Sequence, residues 1–399
     1  MRIRNLLLLL CLTPSLFVQG QAKFEKGVTH DSIPVSGTSD ESFALYLPEK
    51  YQANALNSIV FIFEPAARSA LGIQPFIPAA EKYGHVLVCS NNSRNASYER
   101  NFGIANRLFS HIFSNFNIKE NEMYLSGFSG GSRVACAIAS LTNQFSGVVA
   151  CGAGFPNAPD YKPSIQKYAY VGLVGDRDMN YREMLKNQDF LQLLKFNSTL
   201  ITYSGDHSWP SPEHISYAFD WLYLQKMKGS LSKDSDSILP LYQSTYKRIQ
   251  KHKTDNELLR VSEEYERITK TFKDFVAVDT LVQKHQTLLA SKAYKNQRVS
   301  LSNVLKQEEK IANKLNARMV SDFEKPKKTN FNWWEKELAK LNALEEKGDA
   351  EIKKMVYRVK FDIFARAYSR KNTLLFDENP QRTALAQQFI DLLYSKKEQ

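Results

Sequence analysis

The stretch Tyr124-Leu125-Ser126-Gly127-Phe128-Ser129-Gly130-Gly131-Ser132-Arg133 decides how the chain is read. An apolar segment runs into Gly-x-Ser-x-Gly, and an alanine-rich helical pattern begins at once, from Val134 to Ala139. This order suits a sharp strand-to-helix turn that lifts a serine hydroxyl clear of a sheet. Glycines are needed where a Cβ would strike neighbouring backbone. The N–H of Gly130, at the helix start, can then face an oxyanion formed at Ser129.

Apolar, β-rich runs precede and follow this turn. Residues 42–47 read as an opening edge strand, and residues 57–63 and 85–89 as strands buried on both faces. Residues 123–126, 145–151, 168–174 and 199–203 continue the series, with helix-length segments between, including one expected over 98–116. Such alternation implies crossover connections and a mostly parallel sheet with helices on both faces. Ligand chemistry then belongs at the carboxyl ends of the strands.

A serine of ordinary acidity is a weak nucleophile, so Ser129 requires a base and the base an orienting group. Residues 168–174 run into Gly175-Asp176-Arg177-Asp178, and residues 199–203 into Ser204-Gly205-Asp206-His207-Ser208-Trp209-Pro210. His207 is the base by position, with His214 in reserve. Asp178 is the preferred acid, because the turn can close before its carboxylate faces the histidine loop. Asp176 is the alternative and suits a brace of that turn; Asp206 is poorly placed to reach the other ring nitrogen.

With these pieces, residues 42–225 resemble the α/β-hydrolase fold family, and within it the secreted feruloyl and acetylxylan esterases and polyhydroxybutyrate depolymerases. The resemblance rests on Gly127-Phe128-Ser129-Gly130-Gly131, Gly175-Asp176-Arg177-Asp178 and Gly205-Asp206-His207-Ser208-Trp209-Pro210. It implies a catalytic set of Ser129, His207 and Asp178. Where the family usually carries His-Gly, this chain has Glu64-Pro65-Ala66. Proline has no N–H, so Ala66 is the expected second oxyanion donor after Gly130, with Ala67 in reserve. Glu64 and Arg68 read as a loop brace or as substrate-facing, and Asn91, Arg133 and Trp209 join them on the same rim. The implied activity is hydrolysis of small-molecule or glycan-linked carboxylic esters; a peptidase with the same triad and a non-catalytic, hydrolase-like envelope protein remain open.

The rest of the chain sets the context. Met1 to Gly20 carries Arg2 and Arg4, an apolar run and a small residue at its end, which reads as a signal peptide for the periplasm or secretion. Residues 21–228 form the expected hydrolase domain and residues 229–399 an all-helical module, with Leu258, Val261, Tyr265, Ile268, Phe272 and Phe275 as its clearest apolar stripe. The net charge of +11 lies almost wholly in that module, whose 33 basic and 24 acidic side chains interleave like solvated helix faces rather than a nucleic-acid footprint. Self-association or a protein partner through these helices is the corresponding expectation. No phosphate loop, cofactor motif or metal-ligand spacing recurs. Beyond Cys11, three cysteines remain, with either a Cys136–Cys151 bridge or three buried thiols open to them.

Overall fold

A computed structural model describes residues 24–228, 235–374 and 380–394. The expected signal peptide and Cys11 lie outside the described residues, as do residues 229–234, where the expected helical module begins. By its internal contacts the chain divides into two compact units. The first takes in the chain up to Val174, then Glu183–Tyr203 and the stretch from Ser208. The second takes in Gly175–Arg182, Ser204–His207 and the chain from Ser235 onward.

The first unit is built on β1 (Thr29–Pro34), β2 (Ser42–Tyr46), β3 (Asn57–Phe63), β4 (His85–Ser90), β5 (Ile118–Phe128), β6 (Gly147–Cys151), β7 (Ala169–Gly175) and β8 (Ser198–Tyr203). Their order in the sheet is β1-β2-β4-β3-β5-β6-β7-β8. The β1 and β2 strands join antiparallel, whereas β4, β3, β5, β6 and β7 run parallel. The chain therefore leaves β3, β5, β6 and β7 at one edge. Helices α1 (Ser69–Ile73), α2 (Ile77–Tyr83), α3 (Tyr98–Asn115), α4 (Gly130–Thr142), α5 (Tyr181–Leu193) and α6 (Pro212–Lys228) make the connections.

The period of two along a strand assigns the two cores. Ile59, Phe61 and Phe63 pack with Leu108 and Ile112 of α3 and with Val134 and Ile138 of α4. Val60 and Ile62 face the other way, onto Ala79 and Ala80 of α2 and Phe219 and Leu222 of α6. This is the mostly parallel, doubly covered sheet of an α/β-hydrolase core. Cys89, Cys136 and Cys151 are buried free thiols, and burial pushes the Cys136 thiol up to about 12.

The second unit is helical, with α7 (Ser235–Thr254), α8 (Leu258–Phe272), α9 (Asp279–Ala290), α10 (Lys292–Glu324), α11 (Phe331–Lys347), α12 (Ala350–Leu374) and α13 (Pro380–Tyr394). On α8, Val261, Tyr265, Ile268 and Phe272 are fully buried at helical spacing, while Phe275 falls in the turn beyond the helix end. A second core gathers Phe323, Trp334, Leu341, Val356, Val359 and Phe389. Ser291 accepts from the Tyr294 N–H at 3.2 Å and caps α10, which takes Tyr294 into that helix. Among the described residues, no helix is long and apolar enough to cross a membrane.

Candidate active site

At the end of β5 the backbone turns within one residue. Ser129 has φ 52° and ψ −119°, a conformation that non-glycine residues rarely adopt, and α4 starts at the next residue. A Cβ on Gly127 would lie 2.5 Å from the Gly131 carbonyl carbon and 2.7 Å from the Phe63 oxygen. One on Gly131 would lie 2.6 Å from the Phe63 carbonyl carbon. Both obstacles are backbone and cannot swing away, so these two positions require glycine. The Ser129 N–H donates to the Cys151 carbonyl at 2.9 Å, and Ser132 Oγ donates to the Ala153 carbonyl at 2.6 Å. These bonds tie the turn and the first turn of α4 to the exit of β6. Gly130, as the first helical residue, has an N–H without an intrahelical acceptor.

The loop after β3 departs from expectation. Glu64 is completely buried, and its Oε2 accepts from the Ala66 N–H at 2.6 Å and the Arg68 N–H at 3.0 Å. Its Oε1 accepts from Arg68 Nη2 at 2.6 Å, while the Ala67 N–H turns back to the Glu64 carbonyl at 3.2 Å. The Ala66 and Ala67 donors are thus engaged by their own loop, so Ala66 is not the second oxyanion donor. Glu64 and Arg68 form a brace. Beside Gly130 stands a group the sequence reading did not single out: the Asn95 carboxamide, whose Cγ lies 2.9 Å from where a Gly130 Cβ would be. The Asn95 N–H donates to the Pro65 carbonyl at 2.8 Å, which fixes the residue to the Glu64 loop.

Other rim residues serve the scaffold. Arg133 makes a two-pronged pair with Glu183 at 2.6 and 2.7 Å and donates to the Phe155 carbonyl. Asn91 accepts from Ser69 Oγ and donates to Asp31 at 2.9 Å and Ser42 Oγ at 3.1 Å, and it too belongs to an internal network. Trp209 packs against Phe128 and edge-on to Phe76. His214 stacks on Tyr203 and hydrogen-bonds Ser211 at the start of α6.

The acid and histidine turns lie together in the second unit. His207 Nδ1 sits 2.9 Å from both Asp178 carboxylate oxygens, and Asp178 is fully buried. Asp178 Oδ1 also accepts from the Asn180 N–H at 2.8 Å, which fixes the carboxylate plane. This contact fixes the plane of the imidazole against the buried carboxylate. Asp176 is turned elsewhere: its Oδ1 accepts from the Gly205 N–H at 3.4 Å and its Oδ2 from Arg260 at 2.7 Å, with Lys354 Nζ at 2.9 Å. Its role is the brace.

No family model matches the chain, and no curated protein matches its sequence. Among solved structures it is similar to S-formylglutathione hydrolase from Staphylococcus aureus, at 14% identity over 50% of this chain and 98% of that one, with a TM-score of 0.42. It is also similar to the feruloyl esterase module from Clostridium thermocellum complexed with sinapinate, at 14% identity over 49% and 87%, with a TM-score of 0.41. A third is Thermogutta terrifontis esterase 2, at 10% identity over 53% and 100%, with a TM-score of 0.40.

Proposed function

We propose that this chain is a serine hydrolase that cleaves carboxylic esters. The observation that carries the reading is the strained backbone at Ser129, a non-glycine residue held at a one-residue turn between strand and helix. Strain of this kind costs about 1–3 kcal/mol and persists where it serves a site. The His207–Asp178 pair, in the chain order serine, acid, histidine, supports the same reading.

In this mechanism Ser129 Oγ attacks the ester carbonyl carbon while its proton passes to His207 Nε2. Asp178 holds the Nδ1–H and offsets the imidazolium charge. The oxyanion is met by the Gly130 N–H and, in place of a loop N–H, by the Asn95 carboxamide, whose half-turn about its terminal bond exchanges oxygen for NH2. The imidazolium then protonates the departing alcohol, leaving an acyl-serine. Water, losing a proton to His207, releases the acid and restores Ser129. The reading includes export through residues 1–20, with action in the periplasm or outside the cell on small-molecule or glycan-linked esters.

The direct test is labelling with a fluorophosphonate probe. Labelling of the folded protein that disappears in Ser129→Ala and falls greatly in His207→Ala supports the assignment. No labelling of folded protein would move it to a binding role, and cleavage of a peptide amide without a phenyl ester analogue would move it to a peptidase. Asn95→Ala is expected to lower kcat about 10²-fold, the usual cost of one oxyanion donor, with KM changed only a few-fold in steady-state assays.

A further inference from the structure

We infer that the C-terminal helices are a working part of the catalytic apparatus: α12, with Arg260 of α8, positions the turns that carry Asp178 and His207. The inference rests on the serine hydrolase reading above and goes beyond it, because that chemistry assigns no task to the helices from Ser235 onward.

The two turns touch through backbone. The Arg177 N–H donates to the Gly205 carbonyl at 2.8 Å, and a Cβ on Gly175 would lie 2.5 Å from the Gly205 carbonyl carbon. Neither turn has its own core, so their placement depends on what grips them. Lys354, Tyr357, Arg358 and Phe361, spaced i, i+3, i+4 and i+7, share one face of α12, and each meets a turn. Arg358, only 1% exposed, donates to the Asp176 carbonyl at 2.6 Å and lies over the Tyr181 ring. Lys354 pairs with the Asp176 carboxylate, Tyr357 reaches Asp206 at 3.4 Å, and the Phe361 ring lies 5.7 Å from that of His207. Arg260 joins Asp176 to Ser204, one residue from each turn.

Arg358 is itself held: Glu308 of α10 accepts from its Nε at 3.0 Å, so the guanidinium cannot follow a moving loop. The carbonyl it holds belongs to the residue two before Asp178. A shift of the acid turn would therefore change the direction of the carboxylate that orients His207, and misplacement by about 1 Å can cost 10²-fold in rate.

Removing Arg358 alone would leave Glu308 buried without a counter-charge, so the variant to test is Arg358→Met combined with Glu308→Gln. Its control is Trp334→Phe, which removes the indole bond to Asp322 in the core that also holds Val356 and Val359 of α12, and which touches neither turn. On a p-nitrophenyl ester, the double variant is expected to lose about 10²-fold in kcat with KM little changed. The control should melt at a lower temperature and keep its kcat. Hydrogen exchange should quicken at residues 175–182 and 204–207 in the double variant only. A folded double variant with wild-type kcat, equal kcat loss in the control, or unchanged exchange in both turns would overturn the inference. A wild-type protein inert to esters and to the fluorophosphonate probe would sink the hydrolase reading instead, and the exchange measurement would still report whether the helices hold the turns.

Discussion

Ser129→Gly is expected to abolish ester hydrolysis and to raise the unfolding temperature. At φ 52° and ψ −119°, a side chain costs about 1–3 kcal/mol, whereas glycine adopts this region readily. Glycine carries an opposing cost of about 0.5–1 kcal/mol in the unfolded chain, so the net gain should be about 1 kcal/mol. For a unit of this size that is a rise of roughly 2–4 °C. Loss of the nucleophile should lower kcat by about 10⁶-fold, leaving the weak catalysis of the oxyanion donors. Ser129→Ala separates the two effects: it should be equally inactive but gain no stability, because its Cβ keeps the strain. Calorimetry and steady-state kinetics on the three proteins check this. A Ser129→Gly protein that melts lower than wild type would show that the turn is not strained, and one retaining more than a hundredth of wild-type kcat would show that Ser129 is not the nucleophile.

The parts of the fold visible in the sequence are those where a local pattern coincides with burial. β3 is Asn57-Ser58-Ile59-Val60-Phe61-Ile62-Phe63, buried throughout, and no solvent-exposed element would carry such a run. β1 is not visible as a pattern because it is a polar edge strand, half exposed and broken in register between His30 and Ile33. The first helix of the second unit, α7, went unread for a related reason. Its buried Ile238, Leu241 and Ile249 are diluted by polar neighbours, and Pro240 interrupts the helical pattern.

At the site, the elbow was legible because its glycines and serine are contiguous in the chain, although the backbone that forces two of those glycines includes Phe63, far earlier in the sequence. The contact between Asp178 and His207 joins two residues that each follow a strand, and that placement is visible in the sequence. What could not be read were contacts between distant segments. Arg358 looks like any other basic residue on a helix, and its interleaving with glutamates suggested a solvated face. Its burial depends on Glu308, 50 residues away, and on a carbonyl 182 residues away. Ala66 failed as an oxyanion donor for the opposite reason, a contact too local to show as pattern: the Glu64 carboxylate folds back onto its own loop.

The choice between Asp178 and Asp176 yields the second large effect. Asp178→Asn should lower kcat about 10⁴-fold, the loss expected when the orienting carboxylate of such a triad becomes an amide. The mechanism follows from the bond at His207 Nδ1. With the Asn180 N–H already donating to one oxygen of the group, the amide keeps its oxygen there and turns its NH2 toward His207. The ring then accepts at Nδ1 and carries its proton on Nε2, where it cannot take one from Ser129. A carboxylate that would offset the imidazolium is lost as well, whereas substrate binding is untouched, so KM should change little. Asp176→Asn should behave in the reverse sense. It weakens the charged bonds to Arg260 and Lys354 and should cost about 2 kcal/mol of stability, but it leaves the Asp178–His207 bond in place, so kcat should fall by no more than about tenfold. Chemical denaturation and steady-state kinetics on both variants separate the roles. If Asp176→Asn loses as much kcat as Asp178→Asn, the acid does not act through its contact with His207, and the division between orienting group and brace fails.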